Sequence, residues 1–219
     1  MQDAHESMPA RQTQRLRRVL NAGAGPQSAR PVHSLFARQN WQEIRIDIEP
    51  AVKPDVVGSI TDMRAVFPPQ CFDAIWASHI LEHLFIHQVS EALLEFRRIL
   101  RPSGFALITS PDLEAIASLI VDQGVEKVAY TSPAGPITAL DLLFGHSASI
   151  ARGEIHMAHK CGFTCASLGQ RLIDAGFPTV LATREGFNVW AVAMMEAADL
   201  AAIRRHLTDA GLDVFREDN

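Results

Sequence analysis

Two glycines stand one residue apart, directly after a short apolar run, in Arg18-Val19-Leu20-Asn21-Ala22-Gly23-Ala24-Gly25-Pro26. A strand that runs into such a pair opens the loop with which an open α/β sheet handles a nucleotide. Residues without side chains let the main chain approach the ligand, and the N-terminus of a following helix favours its negative charge. A dinucleotide fingerprint needs a third small residue three places on, so that helix and strand pack closely. Ser28 holds that place, and Pro31 interrupts a helix that starts at Pro26. The loop alone therefore marks a nucleotide-bearing cofactor and leaves its kind open.

Histidines supply the other candidate chemistry. His79 and His83 bracket Ile80-Leu81-Glu82 and lie one helical turn apart, so a helix puts them on one face. His79 is the substrate-facing candidate, while Glu82 and His83 suit a structural role, capping or bridging the start of the next helix. A histidine ordinarily titrates at about pH 6.5, which suits a general base at neutral pH. Further on, "HMAHKCGFTC" holds His156, His159, Cys161 and Cys165. Their nitrogen and sulfur would suffice for a tetrahedral zinc, but the spacing is too tight for a common finger, and no metal is expected. His146, His156 and His159 are expected on a lid with one of them touching substrate, and His159 is the second candidate base. Tyr130 reads equally as pocket wall or as ordinary packing.

The elements that must position these residues follow from periodicity. Residues 16–22, 43–48, 54–60, 71–78 and 105–110 read as strands. Val89, Leu93, Phe96 and Leu100 recur at helical spacing in a helix over 85–100, ended by Pro102 to Gly104. Asp112 reads as the N-cap of a helix carrying Leu113, Ile116, Leu119 and Ile120. Residues 167–177 form another helix, the runs on either side of Glu185-Gly186 form a hairpin, and "AADLAAIRRHLTDAG" closes the chain as a helix. Strands interleaved with helices imply a doubly wound, mostly parallel sheet, and the late hairpin adds one antiparallel strand at or near an edge. Residues 124–160, which contain Pro133, Gly135, Pro136, Gly145 and Gly153, are too long for a plain connection and are expected to form a lid over the strand ends. Residues 1–14 read as a flexible arm, and 15–219 as one domain carrying that lid.

Composition sets bounds. A net charge of −5 argues against a nucleic-acid partner, which requires a basic face. No apolar run is long enough for a membrane span, the first residues lack the apolar core of a signal peptide, and three cysteines make no disulfide framework. A cytoplasmic protein with a small-molecule substrate is the expectation; the oligomeric state is left open.

The stretches "VLNAGAGP", "IRIDIEP", "FDAIWASHILEHL" and "LLEFRRILRPSGFALITSPD" occur in that order over residues 16–112. Together they resemble the class I S-adenosylmethionine-dependent methyltransferases, in particular the group with an "LEH" segment after the fourth strand. "GFT…L…L…AGF" at 162–177 resembles the same group. The resemblance implies a seven-stranded Rossmann-like sheet, S-adenosyl-L-methionine as cofactor and S-adenosyl-L-homocysteine as product.

The site residues carry over by position. Ala22, Gly23, Ala24 and Gly25 would bring backbone N–H groups to the methionine carboxylate. Asn21 stands where an acidic residue usually lies near the cofactor's amino group; it accepts a hydrogen bond without offering charge. Asp47 matches the carboxylate that takes both ribose hydroxyls, and Ile48 would pack on the adenine. Either Ser59 or Asp62 would meet the adenine amino group, with the Ile60 N–H available to the ring. Ala77, Ser78 and His79 would line the sulfonium side. His79 replaces the first glutamate by which some RNA 2′-O-methyltransferases hold a metal, so none is expected at Glu82-His83. Two rival readings are a non-catalytic cofactor-binding module and an NAD-dependent oxidoreductase.

Overall fold

The computed structural model describes residues 15–26, 32–38, 40–133 and 135–213. The arm expected at 1–14, and the Ser28 and Pro31 positions, lie outside the described residues. Seven strands share one sheet: β1 (Arg17–Ala22), β2 (Trp41–Asp47), β3 (Val56–Val57), β4 (Phe72–Ser78), β5 (Leu100–Pro111), β8 (Thr179–Glu185) and β9 (Asn188–Met194). Their order across the sheet is β3-β2-β1-β4-β5-β9-β8. β9 runs antiparallel to both of its neighbours, and the pairings from β3 to β5 are parallel. The antiparallel strand is thus one place in from the edge.

Both faces of the sheet are covered, as a parallel sheet requires. β4 is buried from Phe72 to Ala77, and alternate residues feed the two layers. On one face Ile75 and Ala77 meet Val89, Leu93 and Phe96 of α1 (Ile86–Ile99) and Leu168 and Leu172 of α5 (Cys165–Asp174). On the other, Ala74 and Trp76 meet Leu35, Phe36 and, from α6 (Leu200–Asp209), Ile203 and Leu207. Caps fix the helix starts. Asp112 accepts from the Glu114 N–H to open α2 (Leu113–Gln123), Thr164 from Ser167 to open α5, and Asp199 from Ala202 to open α6.

Two boundaries differ from the sequence reading. α1 hands over to β5 at Leu100, ahead of Pro102 and Gly104, because Leu100 already pairs with Phe72 across a bulge. β3 shrinks to Val56–Val57, because Asp55 uses its carboxylate, in place of backbone, to accept the Arg45 N–H at 2.8 Å.

The segment 124–160 is built from its own elements: the hairpin β6 (Val128–Ser132) and β7 (Gly135–Thr138), then α3 (Ala139–Phe144) and α4 (Ser147–Ala151). Ile137 and Leu142 pack on Ile116 of α2 in a small separate core. Its far end is stitched back to the sheet: the Lys160 N–H donates to the Glu82 carbonyl at 2.7 Å, and the Leu113 N–H to the Phe163 carbonyl at 2.8 Å.

Candidate active site at the carboxyl edge of the sheet

The strand order places β1 between β2 and β4, which is where an open sheet forms its crevice, outside the carboxyl ends of the strands. Register lines up those ends: Ala22 lies opposite both Ile46 and Ala77, Asp47 opposite Val57, and Ser78 opposite Thr109. Asp47 is the last residue of β2, the glycine bend and His79 directly follow β1 and β4, and Ser59 comes two residues after β3.

The bend and the carboxylate are in contact. The Gly25 N–H donates to Asp47 Oδ2 at 2.8 Å, and the Glu49 N–H to Asp47 Oδ1 at 2.9 Å. A carboxylate has about four acceptor sites, so both oxygens can still take hydroxyl donors. Gly23 and Ala24 donate to the Ile46 carbonyl at 2.9 and 3.2 Å. The N–H groups at 23–25, expected to meet a cofactor carboxylate, here bond back to β2, and the bend contributes space. That space has a strict requirement at Gly23, whose φ is +65° and where an added Cβ would stand 2.3 Å from Ile80 Cδ1. Arg45, which the sequence reading passed over, holds the bend from below by donating to the Gly25 and Lys53 carbonyls.

Asn21 is buried and donates Nδ2 to Glu43 Oε1 at 2.7 Å. An acid from the next strand is thus paired with position 21, and the amide oxygen of Asn21 keeps its acceptor capacity. Glu43 could not be singled out in the sequence, where it is one polar place in an alternating strand. Ile48 is 62% exposed, an apolar side chain presented beside Asp47.

Of the two candidates after β3, Asp62 is drawn away. Both its oxygens accept from Arg64 at 2.8 Å, and the Arg64 guanidinium brings its pKa down to about 2. Ser59 follows Gly58, whose N–H donates to the Asp47 carbonyl at 2.9 Å. Its hydroxyl lies 2.8 Å from Thr61 Oγ1. The Ile60 side chain is buried in the core.

Ala77 is fully buried, and Ser78 and His79 are partly exposed. His79 sits at φ +49°, a left-handed conformation unusual for a residue with a side chain. The Thr109 carbonyl holds it there by accepting its N–H at 2.9 Å. The ring's Nδ1 lies 3.2 Å from Glu82 Oε1. Glu82 is 1% exposed, accepts from Ser110 Oγ at 2.9 Å, and takes the Lys160 and Cys161 N–H groups on its carbonyl. Burial pushes its carboxyl up, but the hydrogen bond to His79 and the charges of His79 and His83 outweigh that and bring it down to about 2.

The strap at 158–161 delivers His159 to the same cluster. His83 Nδ1 lies 3.2 Å from the Ala158 carbonyl, His159 Nδ1 lies 3.1 Å from the Leu142 carbonyl, and the two rings meet edge to face with centroids 4.9 Å apart. Burial lowers the pKa of His159 below its ordinary value. The other lid histidines go elsewhere: His146 bonds to Ser149 at the start of α4, and His156 is exposed. Cys161 donates to the Leu81 carbonyl at 3.4 Å, and burial pushes its thiol up to about 11. Tyr130 is 46% exposed on β6.

Comparison with known proteins finds the same fold. Residues 20–108 match the family described as methyltransferase domain. A SAM-dependent methyltransferase from Archaeoglobus fulgidus is 16% identical, over 83% of this chain and 87% of that one, with a TM-score of 0.54. PH0226 from Pyrococcus horikoshii is 14% identical over 84% of each chain, TM-score 0.53. The methyltransferase CalH, solved with S-adenosylhomocysteine, is 19% identical over 83% of this chain and 51% of its own, TM-score 0.52. No protein of curated function matches the chain. The family match is confined to residues 20–108, and the seven-stranded, mostly parallel sheet has the Rossmann-like fold of these solved structures. Among the described residues no helix is long and apolar enough to cross a membrane.

Proposed function

We propose that the chain binds S-adenosyl-L-methionine across the carboxyl ends of β1 to β4 and transfers its methyl group to a small-molecule acceptor. The observation that carries this reading is the 2.8 Å contact between the Gly25 N–H and Asp47 at the crevice of the sheet. Asp47 takes the two ribose hydroxyls, Ile48 covers one face of the adenine, and Ser59 with the Ile60 N–H meets its edge. The methionine end runs past Gly23 toward Ser78 and His79.

The reaction is an in-line displacement. An acceptor lone pair forms the new bond to the methyl carbon, and the electrons of the S–CH3 bond return to sulfur, leaving neutral S-adenosyl-L-homocysteine. Holding nucleophile, carbon and sulfur in line accounts for about 7–11 kcal/mol of the barrier. The proton released by a hydroxyl or ammonium acceptor goes to His79. A carboxylate can only accept, so its bond to Glu82 puts the proton on Nδ1 and the lone pair on Nε2. The segment 124–160 closes over the strand ends and excludes water.

Thermal unfolding tests the cofactor. S-adenosyl-L-homocysteine at a hundred times its Kd stabilises a single site by about 2.7 kcal/mol. A shift with S-adenosyl-L-homocysteine and none with NAD or NADH is expected, and the opposite pattern refutes the reading.

A further inference from the structure

Glu82, His83 and His159 each present one ligand-capable atom, and these atoms lie within 4.8 Å of one another. The carboxylate is buried and the two rings are half-buried. We propose that these three side chains bind a divalent transition-metal ion of the zinc type.

Several features of the cluster favour an ion over a packing motif. First, both rings turn Nδ1 toward a backbone carbonyl, His83 toward Ala158 and His159 toward Leu142, at 3.2 and 3.1 Å. A carbonyl only accepts, so in the neutral ring the proton sits on Nδ1 and the lone pair on Nε2. Metal-binding imidazoles are oriented in this way, by donating the other nitrogen to a carbonyl or carboxylate. Second, the carboxylate is itself oriented, by Ser110 Oγ at 2.9 Å and His79 Nδ1 at 3.2 Å. Third, the donor set selects the ion. Two imidazoles and one carboxylate suit zinc, iron or nickel, whereas magnesium and calcium take oxygen ligands. Three protein ligands leave coordination open, as in catalytic zinc centres. A tetrahedral ion with bonds of about 2.0–2.1 Å holds its ligands about 3.4 Å apart, so side-chain rotations of about an ångström close the cluster.

The sequence reading expected no metal at either place considered. It weighed Glu82-His83 without a third ligand and His159 with its neighbours Cys161 and Cys165. The fold pairs the halves differently: the strap bonded to the Glu82 carbonyl carries His159 to His83, and Cys161 turns to the Leu81 carbonyl. The ion's role rests on the methyl-transfer reading. Glu82, which would hold the ion, also faces His79 Nδ1 at 3.2 Å, so an open position on the ion would take an oxygen of the acceptor while the acceptor's proton would pass to His79.

The test uses the untagged full chain, stripped with a chelator and titrated with Co2+, with Zn2+ as competitor. One Co2+ per chain with visible ligand-field absorption, displaced by Zn2+, is expected. His83→Asn and His159→Asn should each weaken binding by more than the ~10–100-fold that losing an outer partner costs, and Ser110→Ala by about tenfold. Circular dichroism reports whether each variant folds; Ser110→Ala, which keeps all three ligands, carries the test if a histidine variant does not. Absence of cobalt absorption, or undiminished affinity in the folded variants, overturns the site. Calorimetry with S-adenosyl-L-homocysteine on the same samples separates the two readings. Homocysteine-cofactor binding without cobalt binding removes the metal and leaves methyl transfer standing, and the reverse result does the opposite.

Discussion

Gly23→Ala should be among the most damaging single-atom additions to this protein. The new Cβ would stand 2.3 and 2.4 Å from Ile80 Cδ1 and Cγ1, and 3.0 Å from its Cβ. The first two atoms belong to a side chain that can rotate; the third moves only with the backbone. Overpacking of this kind costs about 1–3 kcal/mol. The backbone adds to it, because φ is +65° and a side chain in that region costs roughly 1–2 kcal/mol. The sum is about 2–5 kcal/mol. Urea unfolding reads it as a lower midpoint at unchanged slope. Ile80 follows His79, so S-adenosyl-L-homocysteine affinity and turnover should fall with it. The double variant Gly23→Ala/Ile80→Ala isolates the clash. Removing the Ile80 side chain relieves the overlap but not the backbone cost, so the two changes together should cost about 1–3 kcal/mol less than their sum. Strict additivity, or a loss in Gly23→Ala below about 1 kcal/mol, would refute the claim that the bend is shaped by Ile80.

Asp47→Ala should weaken S-adenosyl-L-homocysteine at least tenfold, about 1.4 kcal/mol, by calorimetry; unchanged affinity in a folded variant would mean that another carboxylate holds the ribose. His79→Ala should abolish most methyl transfer while cofactor affinity stays near normal, and full turnover would move the proton acceptor elsewhere. Arg98 hydrogen bonds hold the Glu95 carboxyl below its ordinary pKa, and Glu95 Oε2 also accepts the Met63 N–H at 2.7 Å. A group depressed by folding stabilises above its unfolded pKa, about 4.3, and loses that contribution as the pH falls through the folded value. Stability curves of the protein and Glu95→Gln should therefore separate above about pH 5 and converge in acid; a constant gap at all pH values would show that the charge is not responsible.

Much of the cofactor edge was legible because its residues sit at strand ends. Periodicity located β1, β2 and β4, and their ends name the residues there: Gly23 after β1, Asp47 as the last residue of β2, and His79 after β4. What stayed hidden crosses between strands. The bond from Asn21 to Glu43 joins two neighbouring strands, and the Arg45 grip on Gly25 depends on their register, which hydrophobic alternation does not give. Spacing did not separate Ser59 from Asp62, and it gave no hint that Arg64, two residues past Asp62, bonds to both of that carboxylate's oxygens. The histidine cluster was least legible of all. His159 reaches Glu82 through a strap whose course depends on the folding of 124–160, a segment with no period to follow. Its hairpin and short helices lean on Ile116 of a helix that precedes them.

The placement of aromatic residues has an optical consequence. Trp76 and Trp190 stack with centroids 5.9 Å apart, His33 lies against both, and Trp41 meets Phe36 edge-on at 5.0 Å. All three indoles of the chain belong to the layer beneath the closing helix. Intrinsic emission from this molecule therefore reports the seating of that helix, mixed with whatever reaches Trp76, which lies opposite Asn21 and next to Ala77. A dye carried on the ligand, in place of the protein's own fluorophores, suits titrations at the strand ends.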